Sequence, residues 1–374
     1  MKIKVAVLHH MGSPRPYAES RPIHIEEVDL DPPQEGEVLV RVAAAGVCHS
    51  DLSVVDGARP RPLPMVLGHE GSGVVEEVGP GVDDLAKGDH VVFVFVPSCG
   101  KCGPCLAGRP ALCEPGFEAN SAGAMLGGGH RLHSGGSPLF HQVGVSCFAE
   151  YAVSARCSLI KVTSDLPLEE AALFSCAVIT GVGAVVNTGQ VPAGSSVAVV
   201  GLGGTGLAAL LGARGAGARR VIGIDVLDYK LALGRQLGVD VAFDANDDDV
   251  VDKVREATDG GVDFAFECVG KVETMELAYK ITRRGGTTIS SGLSHPDTDF
   301  RIQHVNLVAE ERTIKGSYLG SCVPHRDIPN YIELYRSGRL PVDQLISERI
   351  ELEDINEAFD RLADGHTVRQ IITF

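Results

Sequence analysis

Four cysteines stand close together in Cys99-Gly-Lys-Cys102-Gly-Pro-Cys105 and, after seven intervening residues, Cys113, within a stretch crowded with Gly and Pro that reads as a loop. Four thiolates fill the tetrahedral shell that Zn2+ prefers and leave no open position, so a zinc held there would be structural. Disulfides or an iron–sulfur cluster are the other uses of such a set. Outside it remain Cys48, Cys147, Cys157, Cys176, Cys268 and Cys322. Gly46-Val-Cys48-His-Ser50-Asp51 and Gly68-His69-Glu70-Gly71 both follow β-like runs, and Cys176 closes Leu173-Phe-Ser-Cys176. Cys48, His69 and Cys176 would supply two sulfurs, one nitrogen and an open fourth position, the ligand set of a catalytic zinc. The plainer readings are a half-buried histidine at 69 and a small core residue at 176.

A second constellation is Gly201-Leu-Gly203-Gly204-Thr-Gly206, which follows the apolar run Ser196–Val200 and opens a helix of small residues. Gly201 allows the tight turn, Gly203 lets backbone approach a pyrophosphate, Gly206 permits close helix packing, and the N–H groups around Gly204 face the anion. Asp225 ends the next strand, Arg220–Asp225, where a carboxylate accepts hydrogen bonds from the adenosine ribose and repels a 2′-phosphate. NAD is therefore expected over NADP. Lys230 could reach the same ribose or be a solvated surface lysine.

These groups must be positioned by two kinds of architecture. Residues 1 to about 175 show short β-branched runs broken by Gly and Pro, among them Glu37–Val42, Gly73–Val78 and His90–Phe95, which predict a barrel-like all-β domain. From about 195 the rhythm becomes strand, turn, helix, strand, which predicts a parallel doubly wound sheet. Further strands are expected at Val262–Phe266, Thr287–Ser290 and Thr313–Lys315, with helices at Asp249–Ala257 and Val272–Arg283. The tail carries an amphipathic helix, Ile355–Ala363, and a strand, Gln370–Phe374, whereas Ser121–Gly136 reads as a Gly-rich mobile loop. A formal charge of −16 argues against a nucleic-acid partner, so phosphate must be held by a local device. No run of about 18 apolar residues predicts a membrane span, and MKIKVAVLHH lacks a leader's apolar core, so a reducing cytoplasm is expected.

The order Gly68-His69-Glu70, four-cysteine lobe, Gly201–Gly206 turn and Val368-Arg369-Gln370 resembles the zinc-dependent medium-chain alcohol dehydrogenases over essentially the whole chain. That resemblance implies an α/β plus β protein. A GroES-like catalytic domain, 1–178 and 319–374 with its zinc lobe at about 97–115, would carry an inserted Rossmann domain at 179–318. It further implies two Zn2+ and one NAD per chain, and hydride transfer between NAD and a primary alcohol/aldehyde pair.

By the same resemblance, Cys48, His69 and Cys176 match the catalytic ligands, Glu70 the acid behind the metal, and Asp51 the carboxylate that orients His69, or else a helix cap. Ser50 would take the substrate's hydroxyl proton. Many relatives end this relay with a histidine where this chain has Ser53. His49 and Arg369 match basic residues beside the pyrophosphate, and Thr180 lies against the nicotinamide or caps a helix. Phe95, Val143, Leu293 and Tyr318 match pocket-lining positions, with Gln142 as one polar group, which favours hydrophobic or aryl substrates. Glutathione-dependent formaldehyde dehydrogenase is the alternative, opposed by Phe117 where that class usually has Arg. A non-catalytic NAD-binding protein on this fold is a further one, opposed by the complete ligand set. The family implies a homodimer joined through Rossmann domains, or a homotetramer.

Overall fold

Strand Glu37–Val47 organises the first half of the chain, because its long β-branched run pairs antiparallel with three others. These are Glu70–Val78, Tyr151–Ala155 and, near its end, Arg369–Thr373, with Gln370 opposite Val47. The sheet runs Leu159–Val162, His90–Phe93, Glu70–Val78, Glu37–Val47, Arg369–Thr373, Ile346–Ile350. A second set, Lys2–Leu8, Ile23–Leu30, Leu132–Ser134, Ser137–His141 and Met65–Val66, closes into a barrel, which leaves no open edge. Alternation sends Val38, Val40 and Val42 into one core with Phe93, Phe148 and Phe359. Helix Ile355–Ala363 buries Ile355, Ala358, Phe359 and Leu362, one stripe at helical spacing, against that core.

This is a computed structural model describing all 374 residues, and it divides the chain into two units. The first comprises Met1–Cys176, Val323–Pro329 and Ile346–Phe374, and the second Ala177–Cys322 and Asn330–Leu345. The second unit holds a six-stranded parallel sheet in the order Val241–Asp244, Arg220–Asp225, Ser196–Val200, Val262–Glu267, Thr282–Ser290, Thr313–Gly316. Its strand Ser196–Val200 is buried at every position, as a parallel strand covered on both faces must be. Helices Ala177–Gly183 and Gly204–Gly215 touch through glycine: a Cβ at Gly181 would lie 2.2 Å from the Thr205 carbonyl oxygen. No helix is long and apolar enough to cross a membrane.

Three sequence expectations need correction. The breaks lie at Cys176/Ala177 and Cys322/Val323 rather than at 178/179 and 318/319, and residues 330–345 join the second unit. Tyr331 accounts for part of this, because its hydroxyl meets Asn187 Nδ2 at 3.4 Å and Cys322 Sγ at 3.8 Å. The stretch 121–136 is not all loop: Leu132–Ser134 pairs with Asp29 and Leu30 on one side and with Ser137–Leu139 on the other. The β unit also contains helices, including His49–Val55 and Glu114–Ser121, which sit where metal-binding residues were expected.

His141 is fully enclosed at the end of its strand, where Nε2 accepts the Arg131 N–H at 3.0 Å and its ring stacks on His130. Burial, with the nearby His130 and Arg131, pushes its pKa down from 6.5 to about 3. The folded state then refuses a proton that the unfolded chain takes up. The neutral ring's contribution is therefore complete above about pH 6.5 and drains away as pH falls towards 3. Between pH 6.5 and pH 4 this amounts to at most about 3 kcal/mol of lost stability. His141→Gln, which keeps an acceptor for Arg131, should flatten that loss by about one proton per molecule, read from denaturant midpoints at each pH.

Candidate active site

The chain leaves strand Glu37–Val47 directly into helix His49–Val55, and Cys48 is that helix's N-cap. Asp51, fully buried in the first turn, accepts the Cys48 backbone N–H at 3.1 Å with one carboxylate oxygen. Its other oxygen meets His69 Nδ1 at 2.7 Å. One side chain thus holds the backbone of one candidate ligand and the ring of another. His69 follows Gly68, whose φ of +94° and lack of Cβ are both required, since a Cβ there would lie 2.4 Å from the Phe148 nitrogen.

Cys48, His69 and Cys176 are all buried, and their ligand atoms lie within 4.8 Å of one another. With Nδ1 directed at Asp51, His69 Nε2 is the nitrogen left for a ligand, and it is buried with no hydrogen-bond partner. A hydrogen bond from Cys176, with help from Arg369 and His69, pulls the Cys48 thiol well below its usual range, while Cys176 is pushed well above. Burial opposes charge on His69, yet Asp51 and Cys48 outweigh it and raise the ring's pKa well above 6.5. Two sulfurs and one orphaned nitrogen fit a zinc ion, which would displace the shared protons and leave one position open.

Glu70 and Arg369 form a fully buried pair behind these ligands, with Nε and Oε1 3.3 Å apart. Burial foremost, against the pull of Arg369, pushes Glu70 up to about 7. Arg369, expected beside a pyrophosphate, here spends its guanidinium on Glu70 and on the Val47 carbonyl at 3.0 Å. The physical reason is register: strand Arg369–Thr373 lies alongside the end of the strand that leads to Cys48. Sequence reading missed this pairing and also missed the role of Gly46, where a Cβ would sit 2.3 Å from Glu70 Oε1. The glycine two residues before Cys48 was the available signal.

Ser50 is exposed on the first turn after Cys48, and Ser53 Oγ donates to the His49 carbonyl at 2.8 Å. Phe95 stands edge-on to His69 with centroids 5.2 Å apart. Gln142 is buried with Oε1 unpartnered, and Val143 holds φ at +47°, a strained conformation for a β-branched residue. All of these belong to the first unit. Leu293, Tyr318 and Thr180 belong to the second, where Leu293 and Tyr318 are exposed and Thr180 is half-buried within helix Ala177–Gly183.

The lobe folds its cysteines onto backbone donors. Cys102 and Cys113 precede short helices, Gly103–Leu106 and Glu114–Ser121, and Cys113 Sγ accepts N–H groups from Cys99 and Gly116 at 3.2 and 3.4 Å. Backbone N–H groups, with Lys101 foremost, bring Cys99 down to about 6, whereas burial pushes Cys105 up to about 12. All four sulfurs lie within 4.8 Å of one another and fit a closed tetrahedral ion.

In the second unit the glycine turn is shaped for an anion. Gly201 has φ +91°, a Cβ on Gly206 would meet the Gly201 carbonyl oxygen at 1.7 Å, and Gly203 has open space in front of it. Asp225 accepts N–H groups from Leu202 at 2.7 Å, Val226 at 2.8 Å and Leu227 at 3.1 Å, which fix its carboxylate at the strand end. A dinucleotide fits this cradle. Lys230 is buried, with Nζ 6.0 Å from the Tyr229 ring centroid.

Fold and site together define a two-domain, zinc-binding oxidoreductase. Residues 34–164 match the alcohol dehydrogenase GroES-like domain and residues 204–337 the zinc-binding dehydrogenase family. The chain is 41% identical over 362 residues to alcohol dehydrogenase class-3 of Drosophila melanogaster, covering 95% of each. It is 39% identical to the NDMA-dependent alcohol dehydrogenase of Amycolatopsis methanolica, covering 100% of this chain and 99% of that one. The benzyl alcohol dehydrogenase structure from Acinetobacter calcoaceticus superposes with a TM-score of 0.93 at 36% identity, covering 100% and 99%. The chain belongs to the zinc-dependent medium-chain alcohol dehydrogenase family, and its reaction is alcohol/aldehyde oxidoreduction.

Metal analysis after dialysis should find about two zincs per chain on these ligand counts. Cys102→Ser should remove about one zinc and lower the thermal midpoint while the remaining folded enzyme keeps its turnover. A variant that kept its zinc and midpoint but lost turnover would contradict a structural lobe.

Proposed function

We propose that the chain is an NAD-dependent alcohol dehydrogenase acting on primary alcohols with hydrophobic or aryl groups and on their aldehydes. The observation that carries this reading is the contrast between the two metal sites: four sulfurs close one, while Cys48, His69 and Cys176 leave the other a ligand short. Zinc and NAD, when bound, supply a Lewis acid for the substrate oxygen and the hydride acceptor. The chain's own residues do the rest. Asp51 holds His69 and Cys48 in place. Ser50 Oγ accepts the substrate hydroxyl proton and passes it on, since a hydroxyl relays but does not keep a proton. Phe95 beside His69, with Val143 and Gln142, supports a largely apolar binding wall with one polar group. Leu293 and Tyr318 of the second unit are proposed to line the pocket, and Thr180 of the second unit and His49 of the first to contact the cofactor.

The acid end of strand Arg220–Asp225 supports NAD over NADP. The exposed edge strand Thr313–Gly316, together with Val305 and Val308 at 66% and 64% exposure, supports a homodimer through the second unit. Six cysteines used as metal-binding thiolates support a reducing compartment, the cytoplasm.

A second reading, a glutathione-dependent formaldehyde dehydrogenase, draws on the class-3 relative. Phe117, at the position expected to carry a cation, is 71% exposed and offers no charge to an anionic adduct.

Steady-state assays over an alcohol panel with NAD and NADP, with and without glutathione, test all three points. Activity on aryl and medium-length primary alcohols with NAD, independent of glutathione, is expected. Asp225→Gly should cost about 10- to 100-fold in kcat/KM for NAD, the worth of hydrogen bonds to a charged acceptor, while gaining for NADP. A wild-type preference for NADP would overturn the assignment.

Proton exit is proposed to run from Ser50 through ribose and water, because Ser53 is tied to its own helix and cannot hold charge. Ser53→His should add an ionisation to the acid limb of the kcat/KM profile, and an unchanged limb would count against this route.

A further inference from the structure

The two zinc sites take seven side chains between them, and none of these is His9, His24 or Glu26. These three come together where strands Lys2–Leu8 and Ile23–Leu30 begin their antiparallel pairing, in the first unit. Val7 stands opposite His24 and Val5 opposite Glu26. Since side chains alternate, His24 and Glu26 share the face that carries Val5 and Val7, and His9, one residue past the strand, continues it. Further along, that face is filled by Ile3, Val5, Val7, Val28 and Leu30, all buried in one apolar cluster. It therefore passes from dry core to three polar groups within a few residues.

His9 Nε2 lies 2.5 Å from Glu26 Oε1, and the His9 and His24 rings meet edge to face with centroids 5.3 Å apart. One ligand atom from each residue lies within 4.8 Å of the other two. Ligands about 2.1 Å from a tetrahedral ion are about 3.5 Å apart, so side-chain rotations of roughly an ångström would seat one. His24 is exposed and the other two are half-buried, which gives an ion a route in from solvent. Two imidazoles and a carboxylate suit Zn2+, Ni2+ or Cu2+, whereas Ca2+ and Mg2+ demand oxygen ligands.

We propose that His9, His24 and Glu26 form a third site for a divalent transition metal, separate from the catalytic and structural zincs. The ion replaces the proton shared by His9 and Glu26 and crosslinks the two opening strands of the barrel. Water or a fourth donor completes its shell, so it binds more weakly than either thiolate site.

The test uses the holoenzyme with its two zincs in place, titrated with ZnCl2 or NiCl2 alone by calorimetry and equilibrium dialysis. A third equivalent is expected, together with a rise in thermal midpoint on loading. His24→Gln and Glu26→Gln should each weaken that equivalent by at least about tenfold while leaving the two resident zincs, and the midpoint before the third ion is added, unchanged. With Cu2+, the electron paramagnetic resonance spectrum should show coupling to two imidazole nitrogens in the wild type and one in His24→Gln. No third equivalent, or one that persists at full strength in both variants, overturns the proposal. Should His24→Gln fail to fold, Glu26→Gln and the nitrogen count in the wild type decide the matter.

Discussion

The Asp51 carboxylate bridges two of the three groups that make the active centre possible, and the rest of the first unit can be understood as support for that bridge. One oxygen fixes where the Cys48 backbone turns into its helix, and the other fixes which His69 nitrogen faces inward. Full burial gives both bonds strength and also makes the site costly to build, because the second ring nitrogen of His69 is buried with no hydrogen-bond partner of its own. Glu70 and Arg369 add a neutralising pair behind this centre, and Gly46 and Gly68 exist to let the backbone pass close by. The unit is thus assembled around unfavourable burials that a metal offsets.

A shared device recurs at both metal centres. Cys48, Cys102 and Cys113 each stand just before a helix, and at Cys113 the backbone N–H groups of Cys99 and Gly116 converge on the sulfur. Helix starts stabilise negative charge, which offsets part of the cost of burying a thiolate beside one. The glycine turn applies the same principle to a phosphate in the second unit. Thiolate and phosphate, two anions of different chemistry, are thus met by one backbone arrangement.

Local chemistry was legible in the sequence and long-range pairing was not. Strands Ser196–Val200 and Arg220–Asp225 and helix Ile355–Ala363 have the bounds their periodicity predicts, because burial pattern and local propensity agree there. The helices at His49–Val55 and Glu114–Ser121 escaped, being short and set among β-branched runs where tertiary packing outweighs propensity. Strand Gln370–Phe374 was expected, yet nothing local says that it lies beside Val47 and so brings Arg369 to Glu70. The meeting of His9 with Glu26 likewise depends on register, which a sequence pattern does not state. Residues 330–345 joined the second unit partly through Tyr331, on a helix, Pro324–Arg336, that the sequence reading passed over although Ile328, Tyr331 and Ile332 are buried at helical spacing.

The pairing of Arg369–Thr373 with the strand that delivers Cys48 has a consequence for the order in which the protein matures. The second unit draws its sheet from one continuous stretch and can close while the chain is still being made. The first unit cannot, because the guanidinium behind its metal ligands is translated long after Cys176. Until then Glu70 has no counter-ion and the central sheet has an open edge. The three ligands are therefore all translated before the strand that braces Cys48 and the charge that faces Glu70, whereas the second unit's sheet takes nothing from that strand.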